Sequence, residues 1–245
     1  MIPELILFDL DDTLMAFDLV TDKAWDMAAD KFINENNLKI DKSFLLEKIN
    51  ETKKWYWGDP ERHKIGRKNL VNARREVVKL ALKHIIDIGD SALLCNTKLE
   101  RFADNYTQIH ETLWYLFEGA EETLQKIKEK NIKLGIVSNG TSEGQRGKLK
   151  RFDIEKYFDY FYIEGELGFG KPDARVFEYM LQETKIDSKK IIMIGDNPDW
   201  DIEPPQKQGI FSILFNSRGL NLSKNTIKPD GIIYKICDII DYIRN

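Results

Sequence analysis

The chain has 245 residues, of which 42% are hydrophobic and 11% aromatic, and a formal net charge of −4. That composition excludes a wholly disordered chain, which could not bury enough apolar surface to offset its ordering entropy, and the mildly acidic balance argues against broad nucleic-acid binding. No apolar run approaches the roughly 18 residues of a membrane helix, and two cysteines, Cys95 and Cys237, cannot build a disulfide framework or a Cys-rich zinc site.

The chain starts Met1-Ile2-Pro3-Glu4, without the basic and apolar character of a signal peptide. A reducing cytoplasm is the expected compartment. The first element is the short apolar run Leu5-Ile6-Leu7-Phe8, stopped by acids, which suits a strand covered on both faces. Residues 17–116 then carry a period of 3.6. They predict four helices, Phe17–Asn34, Asp41–Trp57, Asn69–Asp87 and Asn96–Leu116. The segments Gly58-Asp59-Pro60 and Gly89-Asp90-Ser91 read as turns between them. Apolar runs return at Leu134–Val137, Tyr160–Ile163, Ile191–Ile194 and Phe211–Phe215, with a weaker one at Gly231–Tyr234. Helical stretches separate them: Glu121–Lys130, Ser142–Phe152, Asp173–Thr184 and Asp201–Gln208. Strand alternating with helix predicts an α/β fold with a doubly wound parallel sheet. The expected organisation is a core of residues 1–16 and 117–245, interrupted after its first strand by a helical cap, 17–116. That position places the cap over the C-terminal end of the first strand.

Four polar signals fall at the ends of predicted strands. In Phe8-Asp9-Leu10-Asp11-Asp12-Thr13-Leu14, Asp9 and Asp11 lie two apart and can converge as the chain leaves the sheet. Paired carboxylates repel unless a cation or proton is present, and Mg²⁺ takes oxygen ligands while keeping waters for substrate phosphate. Val137-Ser138-Asn139-Gly140 offers a hydroxyl and backbone N–H donors to an anion. Gly168-Phe169-Gly170-Lys171-Pro172-Asp173 fixes an ammonium just before a helix. Ile194-Gly195-Asp196-Asn197-Pro198-Asp199-Trp200-Asp201 adds acids after a glycine that permits close approach. Singly, these segments also suit a solvated strand end, an ordinary turn, a surface lysine and a helix N-cap. Together they lie where open α/β sheets bind ligands, and they supply a nucleophile, an acid/base, anion donors and metal ligands.

In order and spacing these segments resemble the four motifs of the haloacid dehalogenase-like hydrolase superfamily, in the branch with a helical cap after the first strand. The resemblance runs from Asp9 to Asp201. It implies a Rossmann-like core, a Mg²⁺ cofactor and phosphatase activity on a small phosphorylated metabolite. By that similarity, Asp9 is the nucleophile that forms an aspartyl-phosphate, and Asp11 is the acid/base. Asp9, Asp196 and the main-chain carbonyl of Asp11 hold Mg²⁺, with Asp201 as a further or an outer ligand. Ser138, Lys171 and the Asn139 backbone N–H hold the phosphoryl group, and Thr13 steadies the nucleophile loop. Dehalogenases of this superfamily lack an acid two residues after the nucleophile, because a halide leaves without a proton. Asp11 therefore favours a phosphatase. A phosphomutase uses the same parts and stays open as an alternative. So do a phospho-accepting receiver, against which the insert argues, and a scaffold on a retained fold. One departure is Pro204-Pro205, since prolines fit only a helix's first turn. The helix after Asp201 should start late or be short.

Between Lys53 and Lys83, ten Lys and Arg face three acids. Most of these suit a solvated helix face. Arg62, His63 and Arg67 follow the Gly58-Asp59-Pro60 turn and are the candidate substrate-binding residues, arginine being suited to two-pronged contact with an anion. The segment Trp57–Arg67 is locally similar to the cap of N-acylneuraminate-9-phosphatases and related sugar-phosphate or nucleotide phosphatases. His84 and His110 read as packing or helix-surface residues. The expected partner is a small metabolite, not nucleic acid or a membrane, and the oligomeric state is left open.

Overall fold

A computed structural model of the chain describes residues 2–86, 95–221 and 227–243. The backbone divides into two compact units, Met1–Phe17 with Tyr115–Asn245, and Asp18–Trp114. The first unit carries β1 (Leu5–Phe8), β4 (Lys133–Ser138), β5 (Tyr160–Ile163), β6 (Ile191–Gly195), β7 (Phe211–Phe215) and β8 (Gly231–Ile233) in one sheet. Every pairing in it is parallel, in the order β5-β4-β1-β6-β7-β8. Two outward progressions start from the centre, and the direction reverses between β1 and β6. This is a doubly wound arrangement. All four residues of β1 are buried, as a central strand covered on both faces requires. One covering layer is explicit. Val176, Phe177 and Met180 of helix α9 (Arg175–Thr184) pack with Leu5, Leu7, Val137, Ile191 and Met193.

The register brings the strand ends level. Phe8 pairs with both Ile136 and Ile194, and the Asp9 amide donates to the Ile194 carbonyl at 2.9 Å. The residues just beyond β1, β4 and β6 therefore emerge together. A second, two-stranded antiparallel ribbon joins β2 (Met15–Ala16) to β3 (Tyr115–Leu116), just where the first unit breaks off and resumes. Sequence periodicity misses it because two residues are too few to alternate.

The second unit is helical: α1 (Thr21–Asn36), α2 (Lys42–Trp57), α3 (Pro60–Gly66), α4 (Leu70–Ile86) and α5 (Asn96–Thr112). Its core joins α1, α2, α4 and α5. Trp25 stacks on Tyr106 with ring centroids 3.7 Å apart, and Phe32 stacks on Phe102 at 4.4 Å. His110 is wholly buried, stacked on Tyr106 and within hydrogen-bonding distance of Thr21 and Trp114, so it is a packing residue. The His84 side chain, Asp87 and the Gly89–Ser91 turn lie outside the described residues.

Three expectations from the sequence are corrected here. Helix α1 starts at Thr21 and not Phe17, because Asp18–Val20 is a 3₁₀ turn and the Phe17 amide donates to Asp12 Oδ1 at 2.9 Å. Helix α5 ends at Thr112, before the β3 ribbon. Gly58-Asp59-Pro60 opens a helix as well as turning the chain. Asp59 accepts from the Arg62 amide, and Pro60 occupies the first turn of α3. The stretch after Asp201 does shorten as Pro204 and Pro205 require. A π-type turn, Pro198–Ile202, leads into the five-residue helix α10, Glu203–Lys207.

Asp159 ties the start of β5 to β4. Its backbone N–H donates to the Leu134 carbonyl, while its carboxylate accepts from the Leu134 N–H at 2.9 Å and from Lys128 Nζ at 2.8 Å. Burial alone would raise its pKa. The Lys128 and Leu134 hydrogen bonds outweigh that and hold it below the ordinary carboxylate value. An acid depressed by folding stabilises the fold above its unfolded pKa and loses that contribution as pH falls through its folded value. Asp159→Asn should cost about 1 kcal/mol at neutral pH by chemical denaturation. The difference from the parent chain should shrink below about pH 4. A gap independent of pH would contradict this account.

Candidate active site

Asp9 follows β1, Ser138 ends β4, and Asp196 follows Gly195 at the end of β6. Asp9 and Asp196 thus flank the point where the strand order reverses, the crevice at which such sheets bind ligands. Lys171 arrives from the loop after the short helix α8 (Glu164–Leu167). Its side chain is buried, and Nζ donates to Asp9 Oδ1 and to Asp201 Oδ1 at 2.6 Å each. Asp201 also accepts from the Asn197 amide through Oδ2 at 3.0 Å. The lysine is therefore no surface residue. Thr13 Oγ1 donates to Asp9 Oδ2 at 3.2 Å, so hydroxyl and ammonium hold the two carboxylate oxygens from different sides.

Carboxylate oxygens of Asp9, Asp196 and Asp201 lie within 4.8 Å of one another. One lysine cannot balance three acids. Burial is the largest cause pushing Asp9 up to about 7; Lys171 opposes it, and Asp201 and Asp11 add to it. Burial, reinforced by Asp9 and Asp201, pushes Asp196 up to about 9. Burial alone would lower the Lys171 pKa, but Asp201 and Asp9 raise it above the ordinary lysine value, so it stays an ammonium. Three crowded carboxylates, with Asp9 and Asp196 raised by burial, are a donor set a hard cation fits, since a cation favours their ionised forms. Gly195 is required for this crowding. A Cβ there would stand 2.2 Å from the Asp201 carboxyl carbon.

The remaining site residues gather on the β4 side. Ser138 is buried at the strand end. Asn139 serves the loop through its side chain as well, Nδ2 donating to the Lys171 carbonyl at 2.7 Å. The Asp11 carboxylate stands outside the three-acid group. It pairs with Lys148 Nζ, 2.7 Å from each oxygen, and accepts from Gln145 Nε2 at 3.1 Å. Sequence reading passed over Gln145 and Lys148. Their signal is a pair of long polar side chains spaced i, i+3 on the helix after Ser138. It also passed over the link between Asp12 and Arg218. Asp12 sits at a positive φ of 57° and is buried. Arg218, three residues beyond β7, bonds its Oδ2 and reaches Asp196 Oδ2 at 3.6 Å. Looking at the loop after every strand, and not only the acidic ones, would have found it.

Arg62, His63 and Arg67 belong to the second unit. They lie on or just after α3 and not in an irregular loop, which corrects the basis on which they were singled out. Arg62 is engaged within its own unit. Its guanidinium lies 3.9 Å from the Trp55 ring centroid, and Nη2 donates to the Trp55 carbonyl at 2.7 Å. His63 packs edge-on to Trp57.

Residues 3–209 match the haloacid dehalogenase-like hydrolase family. The pyrimidine 5'-nucleotidase PynA of Streptococcus pneumoniae is 29% identical over 96% of this chain and 93% of its own length. A glyceraldehyde 3-phosphate phosphatase of Methanothermobacter thermautotrophicus is 29% identical over 57% of this chain and 62% of its own. In fold, the chain superposes on the HAD-hydrolase YfnB of Bacillus subtilis, solved with magnesium, at a TM-score of 0.71 with 19% identity, covering all of both chains. The family match spans the first strand, the insert and the acids after β6 together. The chain belongs to the haloacid dehalogenase-like hydrolases.

Proposed function

We propose that this hydrolase is a Mg²⁺-dependent phosphatase that removes phosphate from a small phosphorylated metabolite through a phosphoryl-aspartate on Asp9. The observation that carries the reading is the Lys171 ammonium seated between Asp9 and Asp201 in a three-carboxylate group. It places fixed positive charge at the one acid that must approach phosphorus. The full-length similarity to a pyrimidine 5'-nucleotidase and the partial similarity to a triose-phosphate phosphatase support a phosphate monoester as substrate. They favour nucleotides and sugar phosphates as its class.

The residues divide the work as follows. Asp9 attacks phosphorus, forming an acyl-phosphate bond while the ester P–O bond breaks. Asp11 gives a proton to the leaving oxygen, then takes one from the water that attacks phosphorus and releases phosphate from Asp9. Lys171, Ser138 and the Asn139 backbone N–H stabilise charge on the phosphoryl oxygens. Thr13 holds the second oxygen of Asp9. Asp9, Asp196 and Asp201, with the main-chain carbonyl of Asp11, would hold Mg²⁺, which supplies positive charge to the phosphoryl group. Asp11 is what separates this reading from a dehalogenase, since a halide needs no proton.

With Mg²⁺, the protein is expected to hydrolyse p-nitrophenyl phosphate, nucleoside monophosphates and sugar phosphates. Chelation should abolish turnover, and Asp9→Asn should lower kcat by about a thousandfold or more. Metal-independent turnover, or an active Asp9→Asn variant, would falsify the reading. Apart from activity, Mg²⁺ should raise the melting temperature by mass action, since it binds the folded acid group. Asp196→Asn should remove most of that rise. An unchanged melting temperature in millimolar Mg²⁺, or an undiminished rise in the variant, would count against the metal assignment.

A further inference from the structure

Two polar side chains of α7 (Ser142–Arg151) are buried and have no part in the scheme above: Gln145, 4% exposed, and Lys148, 5% exposed. Spaced i, i+3, they share one face of the helix. Lysine and glutamine are costly to bury without matched partners, and their partners are site residues. Lys148 Nζ meets both Asp11 oxygens at 2.7 Å while lying 3.9 Å over the centre of the Phe17 ring. An ammonium shared by both oxygens holds the carboxylate in place by charge-assisted hydrogen bonds.

Gln145 adds a second constraint. Its Nε2 reaches three acceptors: Asp11 Oδ2 at 3.1 Å, Ser138 Oγ at 3.0 Å and the Asn139 carbonyl. The amide has two hydrogens for these three atoms. The carboxylate and the carbonyl can only accept, whereas the serine hydroxyl can also donate. Ser138 Oγ accepts from Gln145 on a lone pair, which leaves its own O–H able to donate to a phosphoryl oxygen. The opposite amide orientation would set Oε1 against a carboxylate and a carbonyl. The orientation present instead leaves Oε1 buried with no hydrogen-bond partner, at a cost in desolvation. Gly140, at φ 109°, gives the amide its space, since a Cβ there would stand 3.3 Å from Nε2. A stability cost accepted beside Asp11 and Ser138 points to function more than to folding.

We propose that Lys148 and Gln145 are positioning residues that hold the Asp11 carboxyl group beside the Ser138 hydroxyl, in reach of the leaving oxygen. The inference rests on Asp11 as the acid of the phosphatase reading. Both residues act through Asp11 and Ser138. Proton transfer needs a heavy-atom distance of about 2.6–3.2 Å, and a displacement of about 1 Å can cost a hundredfold.

Leaving-group dependence tests the proposal, because an alkoxide needs the proton from Asp11 far more than p-nitrophenolate does. The value of kcat/KM covers only the steps through alcohol release, before water enters, so it isolates the first proton transfer. It would be measured with Mg²⁺ on p-nitrophenyl phosphate and on an alkyl phosphate, with melting curves to verify folding. Lys148→Met keeps the apolar stem and removes the charge. It should lower kcat/KM about ten- to hundredfold on the alkyl ester and less than about threefold on the aryl ester. Lys148→Arg should restore most of the loss, and Gln145→Met should show the same split without disturbing the ion pair. Equal losses on both esters, or none in either Met variant, would overturn the proposal. Asp11→Asn is run alongside. If it shows the split and the Met variants do not, the positioning role alone fails. If Asp11→Asn shows no split, the acid role of Asp11 fails and the proposal falls with it.

Discussion

Lys171 places one ammonium 2.6 Å from Asp9 and 2.6 Å from Asp201 in a site where all three side chains are buried. Two carboxylates brought this close repel strongly at low local dielectric. The lysine makes their approach tolerable, and removing one partner from such a buried cluster costs about 3–5 kcal/mol. The remaining arrangement follows from that constraint. Asp196 brings a third acid close to this pair, giving a group whose oxygens could hold a cation. Gly195 must lack a side chain because Asp201 takes the space of its Cβ. Asn139 fixes the Lys171 backbone through a hydrogen bond to its carbonyl. The loop after β4 and the loop carrying the lysine are thereby joined.

The acids meet different partners. Asp9 and Asp201 share Lys171, and Asp196 lies beside them, 3.6 Å from Arg218. Asp11, two residues from Asp9, faces away into its own pair with Lys148 and Gln145. Two carboxylates so close in sequence thus meet different partners. Asp12 shares Arg218 with Asp196. Its left-handed backbone is a conformation that disfavours most residues by about 1–2 kcal/mol. Its side chain offsets that by accepting from the Phe17 amide and from Arg218. The loop after β7 is tied by this contact to the loop that carries Asp9.

Much of this architecture could be read in the sequence because its signals are local. Five apolar runs and one weaker one became the six strands of the sheet, and strand alternating with helix gave its parallel winding. Asp9, Ser138, Lys171, Asp196 and Asp201 stood out because each follows a strand end or precedes a helix. What escaped depends on contacts between distant segments. Lys148 lies 137 residues from Asp11 and Arg218 lies 206 from Asp12, so each looks like any other charged residue. The burial of Lys171 escaped for the same reason. Helix α3 escaped differently: an Asp-Pro after glycine signals both a turn and a helix start, and here the Asp59 cap and Pro60 serve both.

The central claim is that phosphate passes through a covalent bond to Asp9. Rapid quenching during turnover, followed by borohydride reduction and peptide mass spectrometry, tests it most directly, because borohydride converts an acyl-phosphate at aspartate to homoserine. The account predicts homoserine at position 9, dependent on both substrate and Mg²⁺. Hydrolysis that proceeds at full rate with no modification at Asp9, or with modification at Asp11 or Asp196 instead, would contradict it.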